Sequence, residues 1–147
     1  MELHLKLSLI MKTKHVLLIS LLSLCFLCCK KNTYHSEITH IIESEFGYEL
    51  KNYDRIFIIP GSGCTGCIKT MENFFLENVR DKKSKFIFTH NFSRKNLIIK
   101  LKKENIEQEN VFIDDENVFY LDAHKERIYP AKIVLVDGRV SGVYSLR

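Results

Sequence analysis

The sequence predicts an α/β domain built on a central mixed sheet, and three observations lead there. An apolar run, Ile56-Phe57-Ile58-Ile59, precedes a Gly-rich turn and a segment with helical spacing of its apolar residues, after which Lys85-Phe86-Ile87-Phe88-Thr89-His90 reads as a second strand. Strand, helix and strand in that order form a βαβ unit, whose strands run parallel. Near the C-terminus Asp137-Gly138 separates two β-rich runs, a strong hairpin signal that adds antiparallel strands. The turn between the first strand and the helix reads Gly61-Ser62-Gly63-Cys64-Thr65-Gly66-Cys67. It sets two cysteines at the start of a helix.

Length and composition bound the rest. A chain of 147 residues, 46% hydrophobic and 27% charged, has room for one core. The formal charge of +4 includes Lys6, Lys12 and Lys14; from Cys29 onward 19 cations face 17 anions, with the signs mixed along the chain. A nucleic-acid partner is not expected. The five cysteines fall into an N-terminal group, Cys25, Cys28 and Cys29, and the pair Cys64 and Cys67. A four-thiolate zinc site would need a second Cys-x-x-Cys or a His pair at metal spacing, so no metal site and no cofactor is expected.

In chain order, residues 1–29 read as an export signal. Lys12 and Lys14 precede a twelve-residue apolar run, Val16 to Leu27, which is right for a signal core and too short to cross a bilayer, which takes about 20 residues. Met11 makes a more usual start for it than Met1. The run ends in Leu24-Cys25-Phe26-Leu27-Cys28-Cys29-Lys30-Lys31, which resembles the cleavage site of bacterial lipoproteins, where a cysteine becomes the lipid-bearing first residue. Cys29 is the preferred attachment site because lysines follow it, with Cys25 and Cys28 as alternatives. A cleaved signal without lipid and an uncleaved short anchor stay open. The resemblance implies an exported protein of the bacterial envelope, membrane-anchored and facing the periplasm or the exterior.

Residues 30–35 read as a polar tether and 36–147 as the folded domain. Ser36 is placed as an N-cap, and Ile38, Ile41, Ile42 and Phe46 recur at helical spacing until Gly47. After the cysteine turn, Ile68, Met71, Phe74, Phe75 and Val79 form an apolar stripe with Lys69, Glu72, Asn73 and Glu77 off it. Ser93 is expected to cap a further helix that turns Leu97, Ile98 and Leu101 inward. Val111-Phe112-Ile113 reads as a short extended piece, and Asp114-Asp115-Glu116-Asn117 as a solvated turn, since it lacks the alternating spacing of a calcium loop. Ala131 to Val136 and Arg139 to Tyr144 flank the Asp-Gly turn.

The cysteine spacing carries chemistry. The first turn of a helix presents unpaired N–H groups and the positive end of its dipole, which favour a thiolate at Cys64. Cys67 follows almost one turn later, within disulfide reach. This succession of elements from Arg55 onward resembles the thioredoxin-like fold, a three-layer sandwich, and more narrowly the envelope-tethered thiol-disulfide oxidoreductases of bacteria. Cys64-Thr65-Gly66-Cys67 at a strand-to-helix turn and Tyr129-Pro130 before a strand carry the resemblance.

The resemblance implies that Cys64 is the nucleophile, Cys67 the resolving thiol, and Pro130 a cis-proline facing the pair. Tyr129, Gly63, Thr65 and Gly66 would then dock the substrate. Partners would be protein thiols and disulfides and a membrane or periplasmic redox protein. The chain departs from the family at Gly63, where Trp is common, and at Ile58, where many members bury an acid. It also ends soon after the hairpin, without the usual closing helix; the helix from Ser36 to Phe46 is the candidate to cover that face.

Other readings of the same residues stay open. The pair can be a static disulfide in a partner-binding module, or hold copper(I) with His90 or His124. Gly61-x-Gly63-x-x-Gly66 also matches a dinucleotide fingerprint, but the next strand runs out into His90-Asn91-Phe92-Ser93-Arg94 without the acidic residue that would hold a ribose.

Overall fold

The computed structural model describes residues 33–90 and 93–147. The expected signal and its cysteines, Cys25, Cys28 and Cys29, lie outside the described residues. From Thr33 the chain is already helical, and helix α1 (Thr33–Phe46) stacks Tyr34, Ile38, Ile42 and Phe46 on one face, each four residues from the last. The domain therefore begins three residues earlier than the sequence suggests, and Ser36 lies inside the helix rather than capping it. Tyr34, placed in the tether by composition, is 2% exposed. Gly47, at φ +45, ends α1 in a conformation that costs glycine little, and a 3-10 turn (Gly47–Asn52) delivers the chain to β1 (Arg55–Pro60).

Helix α2 (Thr65–Asn78) follows, then β2 (Ser84–Thr89), helices α3 (Arg94–Leu101) and α4 (Lys103–Ile106), and β3 (Val111–Asp114). A second 3-10 turn (Lys125–Ile128) precedes β4 (Ala131–Val136) and β5 (Arg139–Ser145). The five strands form one mixed sheet in the order β3-β2-β1-β4-β5. β1 pairs parallel with β2, with Phe57 opposite Phe86, and β2 pairs parallel with β3. β4 is antiparallel to β1, with Ile58 opposite Ala131, and β5 is antiparallel to β4. Asp137 and Gly138 both have positive φ, 52° and 74°, as the tight hairpin turn demands. Ser93 caps α3 as expected, its hydroxyl accepting from the Asn96 N–H.

Successive strand residues point to opposite faces, so the apolar strands supply two cores. On one face Ile56, Ile58, Ile87, Ala131, Ile133 and Val143 meet Tyr34, Ile38, Ile42 and Phe46 of α1. On the other, Phe57, Ile59, Phe86 and Phe88 meet Ile68, Met71 and Phe75 of α2 and Leu97 and Leu101 of α3, while Ile98 is half-buried. Each fully buried side chain of this size contributes about 1.5–3 kcal/mol. Helix α1 thus covers the face opposite α2. No helix follows β5 among the described residues, and Val136 and Tyr144, on the α2 side of β4 and β5, are more than half exposed.

Asp114 departs from the solvated turn expected of it. It is 3% exposed, and its carboxylate accepts from Thr89 Oγ1 at 2.6 Å and from the N–H groups of Val118 and Phe119 at 2.9 and 2.8 Å. Asp115, its neighbour, is exposed and pairs with Arg94. Replacing Asp114 with Ala orphans three donors, so we expect a loss of about 2–4 kcal/mol, read as a lower denaturant midpoint.

At the other end of the sheet Asp81 is held well below the usual carboxylate range, at about 2. The Arg55 guanidinium donates to it first, then the Ser84 hydroxyl and the Lys83 N–H. Because the folded state depresses this pKa, the stabilisation is complete above the ordinary value of 3.8 and disappears as pH falls toward about 2. In denaturant melts across that window, Asp81→Asn should lose less stability with acid than the unaltered protein does.

Candidate functional site

The cysteine turn is built where two parallel strands end. Gly61 N–H donates to the Thr89 carbonyl, continuing the β1–β2 ladder one step past the strand. The chain then reverses through Gly63, at φ +133, a region open to glycine and few others. Cys64 is the N-cap of α2, with φ −67 and ψ 92, and its carbonyl accepts the first helical bond from Ile68 N–H. No side chain caps this helix end, so the first-turn N–H groups and the positive dipole end face the sulfur region. Cys64 and Cys67 are joined by a disulfide with Cα atoms 5.3 Å apart. Both cysteines are half-buried, and Gly63, Thr65 and Gly66 are exposed around them.

The segment facing Cys64 is the 3-10 turn ahead of β4. Its last residue, Ile128, accepts the Cys64 N–H at 2.9 Å. Gly63 packs directly on the same residue: a Cβ there would stand 2.7 Å from Ile128 Cα. The missing side chain, at the position where the resemblance leads one to expect Trp, is what lets the two backbones meet. Ile128 was not among the residues expected at the site, and only the approach of β4 to β1 reveals it.

Pro130 and Tyr129 lie just beyond this contact. No peptide bond among the described residues is cis, so the expected cis-proline is corrected to trans. Tyr129 takes the extended conformation that a following proline favours, φ −107 and ψ 144, and its N–H donates to the Glu126 carbonyl. The turn thereby offers Ile128, rather than Tyr129, to the cysteine. Pro130 is buried, its carbonyl accepting from Leu146 N–H at 2.7 Å, and the Arg147 guanidinium lies 5.1 Å from the centre of the Tyr129 ring.

The turn is held from behind by α1. His124 Nε2 is 3.1 Å from Glu37 Oε2, and its ring meets Tyr34 edge-on at 5.6 Å. Burial, followed by the Glu126 charge, pushes the Tyr34 phenol up to about 12. His90 stacks on Tyr120 with ring centres 3.8 Å apart. Among the described residues no group of three or more His, Cys, Asp or Glu side chains is arranged to hold a metal ion. Ile58, where a buried acid was sought, sits 3% exposed in the α1-side core.

Beside the cysteine turn an open cleft of about 310 Å³ runs along α2, lined among others by Gly61, Ser62, Thr65, Ile68 and Leu76. Glu72, read from sequence as lying off the apolar stripe, is 7% exposed on its wall and meets Lys100 Nζ at 2.6 Å. Only the packing of α3 on α2 supplies that partner. Asp115, Glu116 and Asn117, by contrast, are exposed as expected.

No protein-family model, no curated protein sequence and no solved structure matches the chain.

Replacing Gly63 with Ala drives a Cβ into Ile128 and demands an unfavourable φ. We expect a destabilisation of about 1–3 kcal/mol together with faster hydrogen exchange at the Cys64 amide, the bond that this contact closes.

Proposed function

We propose that the protein is a thioredoxin-like thiol-disulfide oxidoreductase held at the bacterial cell envelope by a lipid on Cys29. The observation that carries the reading is a disulfide between Cys64 and Cys67, half-exposed at the uncapped start of α2. The order of elements supports it: a βαβ unit opened by the cysteine turn, then an x-Pro step into an antiparallel hairpin. Helices on both faces of a mixed sheet agree with a three-layer sandwich, with β3 as a further edge strand.

In the reduced protein the helix end favours the Cys64 thiolate. That sulfur attacks one sulfur of a substrate disulfide; the substrate S–S bond breaks, a Cys64–substrate bond forms, and the departing thiolate takes a proton from water. Cys67, as thiolate, then attacks the Cys64 sulfur, closing the Cys64–Cys67 bond and expelling the second substrate thiolate, which is also protonated. Two electrons pass from the cysteine pair to the substrate, and the reverse sequence oxidises a dithiol. With Ile58 in the core, the proton of Cys67 leaves to solvent, which its partial exposure allows.

Cys64→Ser should abolish reduction of a model disulfide, with turnover falling by at least about 10³-fold. Cys67→Ser should retain attack and accumulate mixed disulfides, seen as adducts that collapse on adding reductant. Unaltered protein that fails to exchange with any model disulfide, together with a Cys67→Ser variant that captures nothing, would leave the pair a static crosslink.

A further inference from the structure

The side of Cys64 toward Pro130 is taken by the protein's own chain. The Ile128 carbonyl accepts the Cys64 N–H, Gly63 packs against Ile128 Cα, and the Tyr129 N–H is given to the Glu126 carbonyl. A substrate chain laid there would meet backbone groups already engaged. The side toward α3 is open. Gly63 and Thr65, the two neighbours of Cys64 in the chain, line the cleft of about 310 Å³ that continues along α2 to Leu76 and across to Lys100 of α3.

This cleft combines apolar surface with an excess of positive charge. Ile68 is buried at its floor, and Leu76 is 40% exposed on its wall. Three charged residues line it: Lys69, Glu72 and Lys100. Lys100 Nζ lies 2.6 Å from the Glu72 carboxylate, so those two charges offset each other. Lys69 is exposed and carries no ion pair among the described residues. One cation is thus left over, and its complement is an acidic side chain. Lys69 follows Cys64 by five residues and Leu76 by twelve, about 7.5 and 18 Å along the axis of α2. An extended chain advances about 3.3 Å per residue, so its second or third residue from the reacting cysteine reaches Lys69 and its fifth or sixth reaches Leu76.

Resting on the oxidoreductase reading above, we infer that this cleft selects the substrate: it takes, in extended form, the stretch of protein chain beside the reacting disulfide, with an acidic residue at Lys69 and an apolar one at Leu76. The bonds made and broken are those given above, and the bound chain contributes one of the two substrate sulfurs. The Lys100–Glu72 pair ties together the two helices that form the walls. Lys69 and Leu76 set which flanking sequence is preferred.

The test uses the full chain, reduced and in detergent, with peptides whose single cysteine is capped as a mixed disulfide with 2-mercaptoethanol. Two series carry Glu or Lys about three positions before the cysteine or about three after it, with leucine about six positions away on the same side. The rate of the Cys64→Ser variant is subtracted throughout. In one series the Glu peptide should react about threefold faster than the Lys peptide at low ionic strength, and the gap should close at about 0.5 M salt. Lys69→Glu should reverse the order. Leu76→Ser should raise the half-saturating concentration of the leucine peptide about threefold, more than it changes the plateau rate, and should have no such effect when serine replaces that leucine.

Equal rates for the Glu and Lys peptides in both series, or an order that survives Lys69→Glu, overturn the inference. Exchange with bis(2-hydroxyethyl) disulfide in the same preparation then keeps the oxidoreductase reading in place. A Leu76→Ser variant that treats leucine and serine peptides alike overturns the assignment of that end of the cleft. Exchange with no peptide and none with bis(2-hydroxyethyl) disulfide overturns the oxidoreductase reading, and the substrate assignment with it.

Discussion

Two stretches of backbone meet where Cys64 donates its N–H to the Ile128 carbonyl, and Gly63 is bare so that they can. That contact joins the parallel half of the sheet, which ends in the cysteine turn, to the antiparallel half, which begins just after Ile128. It sets Cys64 as the residue at which α2 starts, and the start of a helix is where unpaired N–H groups gather. The turn that supplies the carbonyl is braced in its own right by Tyr34 and Glu37 of α1 against His124. The position of the two sulfurs thus depends on three segments distant in sequence.

The middle of the sheet explains why those segments stay put. Every residue of β2 is buried, because helices cover both of its faces and strands flank both of its edges. Polar residues on such a strand need partners. Thr89 donates to Asp114, which in turn accepts two backbone N–H groups of the following loop. Lys85 lies over the rings of Phe46 and Tyr53 with Glu49 at 3.8 Å, and burial lowers its pKa, against the opposing pull of Glu49. Asn110 spends its amide N–H groups on the carbonyls of Val79, Asp81 and Ser84, tying the end of α2 to the start of β3. These residues read as polar in the sequence and behave as structural posts.

The periodicity of the chain alone determined the βαβ unit, the hairpin and the cysteine turn. Each is encoded within a few consecutive residues: a run of Ile and Phe, an Asp-Gly pair, a glycine-flanked Cys-x-x-Cys. Ser93 was legible as a cap for the same reason, since its hydroxyl serves an N–H three residues away. What only the tertiary structure decided involves partners far along the chain. The meeting of Ile128 with Gly63, the burial of Asp114 and Glu72, the trans peptide before Pro130 and the start of α1 ahead of Ser36 all follow from which segments pack together. Local patterning sets a residue's conformation, whereas its exposure and its partner are set by whatever the rest of the fold brings against it.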